Sequence, residues 1–123
     1  MGRLSAVGAR IVRYHEGRAP DLLARKYDLM AANPFAFYRG SCQLFRDGWP
    51  ARSALDSAPA IWSCGDLHCE NLGCYKGDNR LAYFDLNDFD EAALLPISWD
   101  LTRFAASVIV GAPRLSVSTS TAS

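Results

Sequence analysis

Residues 64–71 read Cys-Gly-Asp-Leu-His-Cys-Glu-Asn, and residues 84–91 read Phe-Asp-Leu-Asn-Asp-Phe-Asp-Glu. Between and around them lie two short β-type runs, 72–75 and 80–85, separated by Lys76-Gly77-Asp78-Asn79. The Gly, Asp and Asn of that separator tolerate the positive φ that a tight hairpin turn needs. Just upstream, residues 60–64 form a short apolar run that reads as a buried strand, stopped by Gly65. A strand, a polar loop and a hairpin in succession, with helical segments on either side, predict an α+β domain: a small antiparallel hairpin sheet packed on helices.

Hairpin arithmetic brings the two acidic stretches together. A turn centred on Gly77-Asp78 sets Asn71 opposite Phe84, and one centred on Asp78-Asn79 sets it opposite Leu86. Either way Asp85 arrives within one residue of Asn71, roughly 5 Å across the ladder. An amide carbonyl and a carboxylate then converge.

Working outward, Pro20 to Ala32 reads as a helix, with Pro20 in its first turn, Asp21 at its positive end, and Asn33-Pro34 ending it. Residues 34–46 read as a short extended stretch followed by a second helix, with Gly40 weakening that reading. Residues 50–59 read as a loop, and a long loop containing Pro96 follows the hairpin. Ser98 is placed to cap a helix from Trp99 to about Val110, with Leu101, Phe104, Ala105 and Val108 on one face. The expected organisation is an N-terminal extension (1–18), a folded domain (19–111) and a disordered tail (112–123).

Composition excludes some function classes. Thirteen basic and thirteen acidic residues leave no net charge, so no overall field draws the chain to nucleic acid or to an anionic membrane. The apolar stretch 104–112 is far short of a bilayer span, and the first residues lack a signal core, which together read as cytoplasmic. Cys42, Cys64, Cys69 and Cys74 then read as reduced thiols. Their C-x₃-H and C-x₄-C spacings, with His68 included, match no common zinc module. His15, on a basic stretch, reads as a surface residue.

The chemistry concentrates between Gly65 and Glu91, where Asp66, His68, Glu70, Asn71, Asp85, Asn87, Asp88, Asp90 and Glu91 crowd beside an apolar run. Oxygen ligands of this kind suit Mg²⁺, which takes one or two protein groups and completes its octahedron with water and phosphate. Asp66 and Asn71 stand at the D-L-x-x-x-N spacing of a kinase catalytic loop, where the Asp orients or deprotonates the attacking hydroxyl and the Asn holds a metal. Arg39 offers a fork of donors suited equally to phosphate or to one of the local carboxylates.

The GDLHCEN and YFDLNDFDE stretches resemble the aminoglycoside-phosphotransferase branch of the kinase-like superfamily. Four blocks in order, PFAFYRG (34–40), CGDLHCENLG (64–73), FDLNDFDE (84–91) and WDLTRFAAS (99–107), resemble the bacterial family known as domain of unknown function 2252. The resemblance implies a partial protein-kinase-like domain of C-lobe type, with ATP and Mg²⁺ as cofactors and a hydroxyl-bearing acceptor. It implies Asp66 as the catalytic base or hydroxyl-positioning group, Asn71 and Asp85 as metal ligands with Asp88 as rival, and Asp100 as a buried brace for the loop; His68 reads as an orienting group in the same loop, with a general base as the alternative. The Gly-rich phosphate loop and strand lysine of a complete kinase-like site have no counterpart here, since Lys26 falls in a helix and Lys76 in a turn. A complementary segment or homo-oligomer is therefore an expected partner. Two rival readings are a metal-dependent hydrolase using Asp66, Asp85 and Asp88, and a non-enzymatic binding module.

Overall fold

A computed structural model of the chain describes residues 5–113. Among these residues it is α+β, with five α-helices and two small antiparallel ladders, and the chain divides into two compact units between Pro50 and Ala51. No helix among the described residues is long and apolar enough to cross a membrane.

The first unit is helical. Helix α1 (Ala6–Tyr14) starts at Ser5, whose hydroxyl accepts from Gly8 N–H at 3.1 Å, and α2 (Pro20–Ala31) starts with Pro20 in its first turn. The stretch after Asn33 is not extended. Asn33 Oδ1 accepts from Ala36 N–H at 2.9 Å and Pro34 opens helix α3 (Pro34–Gly40) directly, a strong pairing of cap and first residue. The chain breaks at Ser41 and resumes as α4 (Cys42–Gly48). Gly40 serves close packing: a Cβ there would run into the side chain of Met30, which is itself buried. His15 is fully buried, against the surface position read from sequence, with its ring edge-on to Tyr14 and Tyr27.

The second unit opens with a short 3₁₀ turn at Ala54–Ser57, inside the expected loop. Strands β1 (Ala60–Ser63), β2 (Leu72–Lys76), β3 (Ala82–Leu86) and β4 (Ala93–Pro96) follow, and then helix α5 (Ile97–Gly111). β1 pairs with β4, and β2 pairs with β3, so the hairpin is nested inside the outer ladder. Strand β4 was hidden by Pro96, which reads as a loop residue. It is tolerated because it sits in the terminal pair of the ladder, opposite Ala60. β1 is not a buried strand: Ala60, Ile61 and Trp62 are exposed, Trp62 at 81%, and only Ser63 is buried.

Helix α5 inverts the expected pattern. Its buried residues are Ser98, Asp100, Arg103, Ser107 and Gly111, whereas Leu101, Val108 and Ile109 are exposed. Ser98 does not cap the helix; its hydroxyl donates to the Leu55 carbonyl at 2.6 Å. From residue 114 onward the expected disordered tail lies outside the described residues.

Candidate functional site

The outer ladder ends on the pair Ser63↔Ala93, and the hairpin begins at Leu72↔Leu86, extended by a bond from Asn87 N–H to the Asn71 carbonyl at 3.1 Å. Two segments, 64–71 and 87–92, therefore run from one ladder into the other. Asp66, His68, Asn71 and Asp88 all fall on them. The segments touch at Gly65, which adopts φ +80 and whose absent Cβ would collide with the backbone carbonyl of Glu91. Only glycine meets both demands without strain.

Helix α5 holds the first segment from one face. Asp100, Arg103 and Ser107 are spaced i, i+3, i+7 and so line one side of the helix. Asp100 accepts from two backbone donors, Cys64 N–H through Oδ2 at 3.0 Å and Gly65 N–H through Oδ1 at 3.1 Å. This is the bracing position expected of it. Arg103, only 1% exposed, donates from Nε to Asp66 Oδ1 at 2.8 Å, and its Nη2 stands 2.7 Å from the same oxygen. Ser107 Oγ accepts from Cys69 N–H at 3.0 Å and donates to the Phe104 carbonyl at 2.7 Å. The loop is thus held at three points along its length, and at the Asp100 and Arg103 points the bonds are charge-assisted, about twice as strong as neutral ones. Burial, followed by the Asp100 carboxylate, pushes the Cys64 thiol up to about 11, which keeps it protonated and unreactive near neutral pH.

Asn71 joins the two segments. Its Nδ2 donates to the Asp88 carbonyl at 3.2 Å and to the Asp66 carbonyl at 3.4 Å, and its own N–H donates to the His68 carbonyl at 2.9 Å. The residue is 3% exposed, yet Oδ1 is buried with no hydrogen-bond partner. A buried amide oxygen in that condition is uncommon and calls for a physical account.

The register of the hairpin differs from both expected alternatives. Gly77 N–H donates to the Leu81 carbonyl and Arg80, at φ +65, donates to the Gly77 carbonyl, so the turn takes in residues 77–81 rather than a tight pair. Asp85 consequently pairs with Gly73, and Asn71 faces Asn87. Strand alternation leaves Asn71 and Asp85 on the same face but diagonal, at roughly 7–8 Å rather than 5 Å. Asp85 is exposed and its Oδ1 accepts from Leu86 N–H at 2.8 Å.

Asp88 is also exposed, with Oδ1 accepting from Asp90 N–H at 3.1 Å, but its backbone is the one bonded to Asn71. His68, within the same loop, is buried. Arg39 lies exposed on α3, in the first unit, whereas every other candidate is in the second. Among the described residues no three His, Cys, Asp or Glu side chains gather closely enough to hold a metal by themselves.

Sequence reasoning missed Arg103 and Ser107, and counted Asn87 only as one of the crowded polar residues. Arg103 and Ser107 were detectable as polar residues three and seven positions after Asp100, on the same side of the helix. Asn87 leans its side-chain amide over Gly73, into the place a Cβ would take, and no pattern in the sequence announces that.

No curated protein and no solved structure matches the chain significantly. A family model described as an uncharacterized protein conserved in bacteria (DUF2252) matches residues 18–123, and the chain belongs to that family.

Proposed function

We propose that the segments joining the two ladders form a kinase-like phosphotransferase site, of partial C-lobe type, that uses ATP and Mg²⁺ to phosphorylate a hydroxyl-bearing acceptor. The observation that carries this reading is the unpartnered Oδ1 of Asn71, a buried oxygen ligand left over after the amide nitrogen has tied the two segments together. The donor set fits a hard cation: one amide oxygen with the carboxylates of Asp88 and Asp85 at hand. Asp88 is favoured over Asp85, because its backbone is bonded to Asn71 while Asp85 sits two pairs along the hairpin from it. When bound with nucleotide, Mg²⁺ would neutralise charge on the phosphate oxygens.

The remaining roles belong to the chain itself. Arg103 grips one oxygen of Asp66 and so aims the carboxylate, leaving Oδ2 to orient the acceptor hydroxyl. His68 supports the loop through its carbonyl bond from Asn71. A second copy or complementary segment keeps its role as partner, as part of this same proposal. A cytoplasmic setting suits a nucleotide substrate.

The hydrolase reading is less well supported. A cation held by protein alone needs a gathered ligand trio, which the described residues do not offer, whereas a nucleotide-borne Mg²⁺ needs only one or two protein groups. Calorimetry of ATP binding with and without Mg²⁺, on the full chain and on Asp88→Ala, tests the proposal. The expected result is Mg²⁺-dependent binding that weakens at least tenfold in the variant. Equal binding in all four titrations, or none in the unmodified chain, would remove it.

A further inference from the structure

Within the first unit, α1 and the turn after it, residues 5–19, bury only Ile11 and His15. The two stand at i and i+4 and so share one face. Two further ties run to α4, and both are exposed: Arg10 pairs with Asp47 at 2.8 Å, and Arg46 donates to the Tyr14 hydroxyl at 3.1 Å. Contacts of that kind are screened by water and hold weakly. His15 is therefore a main fastening of this arm, with its ring meeting Tyr14 and, on α2, Tyr27 edge-on at centroid distances of 5.0 Å and 5.9 Å.

The fastening depends on the ring being neutral. Nδ1 lies 2.9 Å from the Ile11 carbonyl, and a carbonyl can only accept, so Nδ1 carries the hydrogen and Nε2 the lone pair. Nε2 is buried with no hydrogen-bond partner, so a proton added there would make a buried cation whose new N–H has nothing to donate to. The charged groups that act on the ring, Lys26 from α2 and Arg18 from the turn, are both cations. Arg13 and Glu16, beside it in sequence, are exposed, and Arg46 and Asp47 of α4 are bonded to Tyr14 and Arg10. Burial lowers the pKa of the ring from 6.5; the Ile11 carbonyl opposes this, and Lys26 and Arg18 reinforce it.

We propose that His15 is a proton-operated latch: the neutral ring pins the turn between α1 and α2 shut, and the protonated ring leaves its site and frees α1 while the second unit stays folded. The added proton resides on Nε2, and the cation reaches water only by opening the turn. Because the closed form holds this proton less tightly than free imidazole does, acid favours the open form. The latch is closed above pH 6.5 and loosens as pH falls below it. It does not depend on the phosphotransferase reading.

Amide hydrogen exchange on the full chain, expressed as protection factors at pH 7.5 and pH 5.0, tests the latch, since carboxylates such as Asp47 stay largely ionised over that range. Protection at residues 9–15 is expected to fall about tenfold, and by no more than about thirtyfold, the limit set by free imidazole. Protection in α5 should hold. His15→Phe keeps an aromatic ring and leaves the Ile11 carbonyl its 3.2 Å bond from the backbone N–H at position 15, so its protection at residues 9–15 should not change between the two conditions. If that variant fails to fold, as judged by circular dichroism, the His15 ring of the unmodified chain, followed by NMR, decides: its protonation should coincide with the loss of protection. Unchanged protection in the unmodified chain, an equal fall in folded His15→Phe, an equal fall in α5, or a ring that takes up its proton while α1 stays protected would each overturn the proposal.

Discussion

The two ladders of the second unit have the same number of strands and the same antiparallel sense, yet they are held in opposite ways. The outer ladder, β1 with β4, is fastened at its site end by α5, where a buried carboxylate takes the backbone N–H groups of Cys64 and Gly65. The hairpin, β2 with β3, has Tyr75, Tyr83, Phe84 and Asp85 exposed and is tied at its root through Asn71. The proposed site spans the junction. Asp66 stands on the fastened side with its carboxylate gripped, whereas Asp85 and Asp88 stand on the open side with exposed carboxylates. Under the proposed function, a fixed acid on one side and accessible carboxylates on the other would suit positioning a substrate against a bound nucleotide.

Removing the fastening should have the largest effect. Asp100→Ala strips two buried backbone donors of their acceptor at once. The expected loss is about 3–5 kcal/mol in urea unfolding. A loss below about 1 kcal/mol would mean that the ladders are not held differently after all.

A pair of glycines sharpens the contrast. In Gly65→Ala the new methyl would meet the Glu91 backbone while the residue is still required at φ +80, for an expected cost of about 2–4 kcal/mol. In Gly73→Ala, on the hairpin, the methyl meets the end of the Asn87 side chain, which can swing aside, for about 1 kcal/mol or less. Comparable losses at the two positions would contradict the distinction between a rigid and a yielding ladder.

Cys64 gives the same comparison as a pH dependence. Its thiol titrates near 9.0 when unfolded and is pushed up to about 11 when folded, so the unfolded chain releases its proton first. The stabilising contribution is intact below pH 9.0 and is lost as pH rises towards about 11. Melting temperature should therefore fall over that window, and Cys64→Ala should flatten this part of the fall.

How far the sequence could be read follows the same division. The hairpin, the helix at 97–111 and the bracing role of Asp100 were legible, because turn chemistry, periodicity and a resemblance in motif each leave a local trace. Strand β4 was not, since Pro96 reads as a loop and its tolerance depends on its place at the ladder end. The inward face of α5 was also misjudged. Hydrophobic periodicity assigns Leu101 and Val108 to the core, but Asp100, Arg103 and Ser107 are drawn inward by backbone and carboxylate groups 30 or more residues away in sequence. Register failed for a smaller reason: the positive φ at Arg80 lengthened the turn, and a change of one residue in pairing moved Asp85 from beside Asn71 to the diagonal.

The smallest effect is expected at the tip of the hairpin, and it is the one that isolates the hairpin from the rest. Tyr83 stacks on Tyr75 across the ladder with ring centroids 5.6 Å apart, and its hydroxyl accepts from the Asn79 side-chain amide. Both contacts are exposed, so Tyr83→Phe keeps the stacking and loses one solvent-screened hydrogen bond, worth about 0.5 kcal/mol or less. Global unfolding should hardly change. Amide hydrogen exchange should nevertheless quicken at the turn, at Gly77 and Arg80, while Cys64, Gly65 and Cys69 keep their protection, because their acceptors lie on α5 and owe nothing to the hairpin tip. Faster exchange in both places would show the two ladders opening as one unit, and the division between a fixed acid and an accessible ligand side would have no dynamic counterpart.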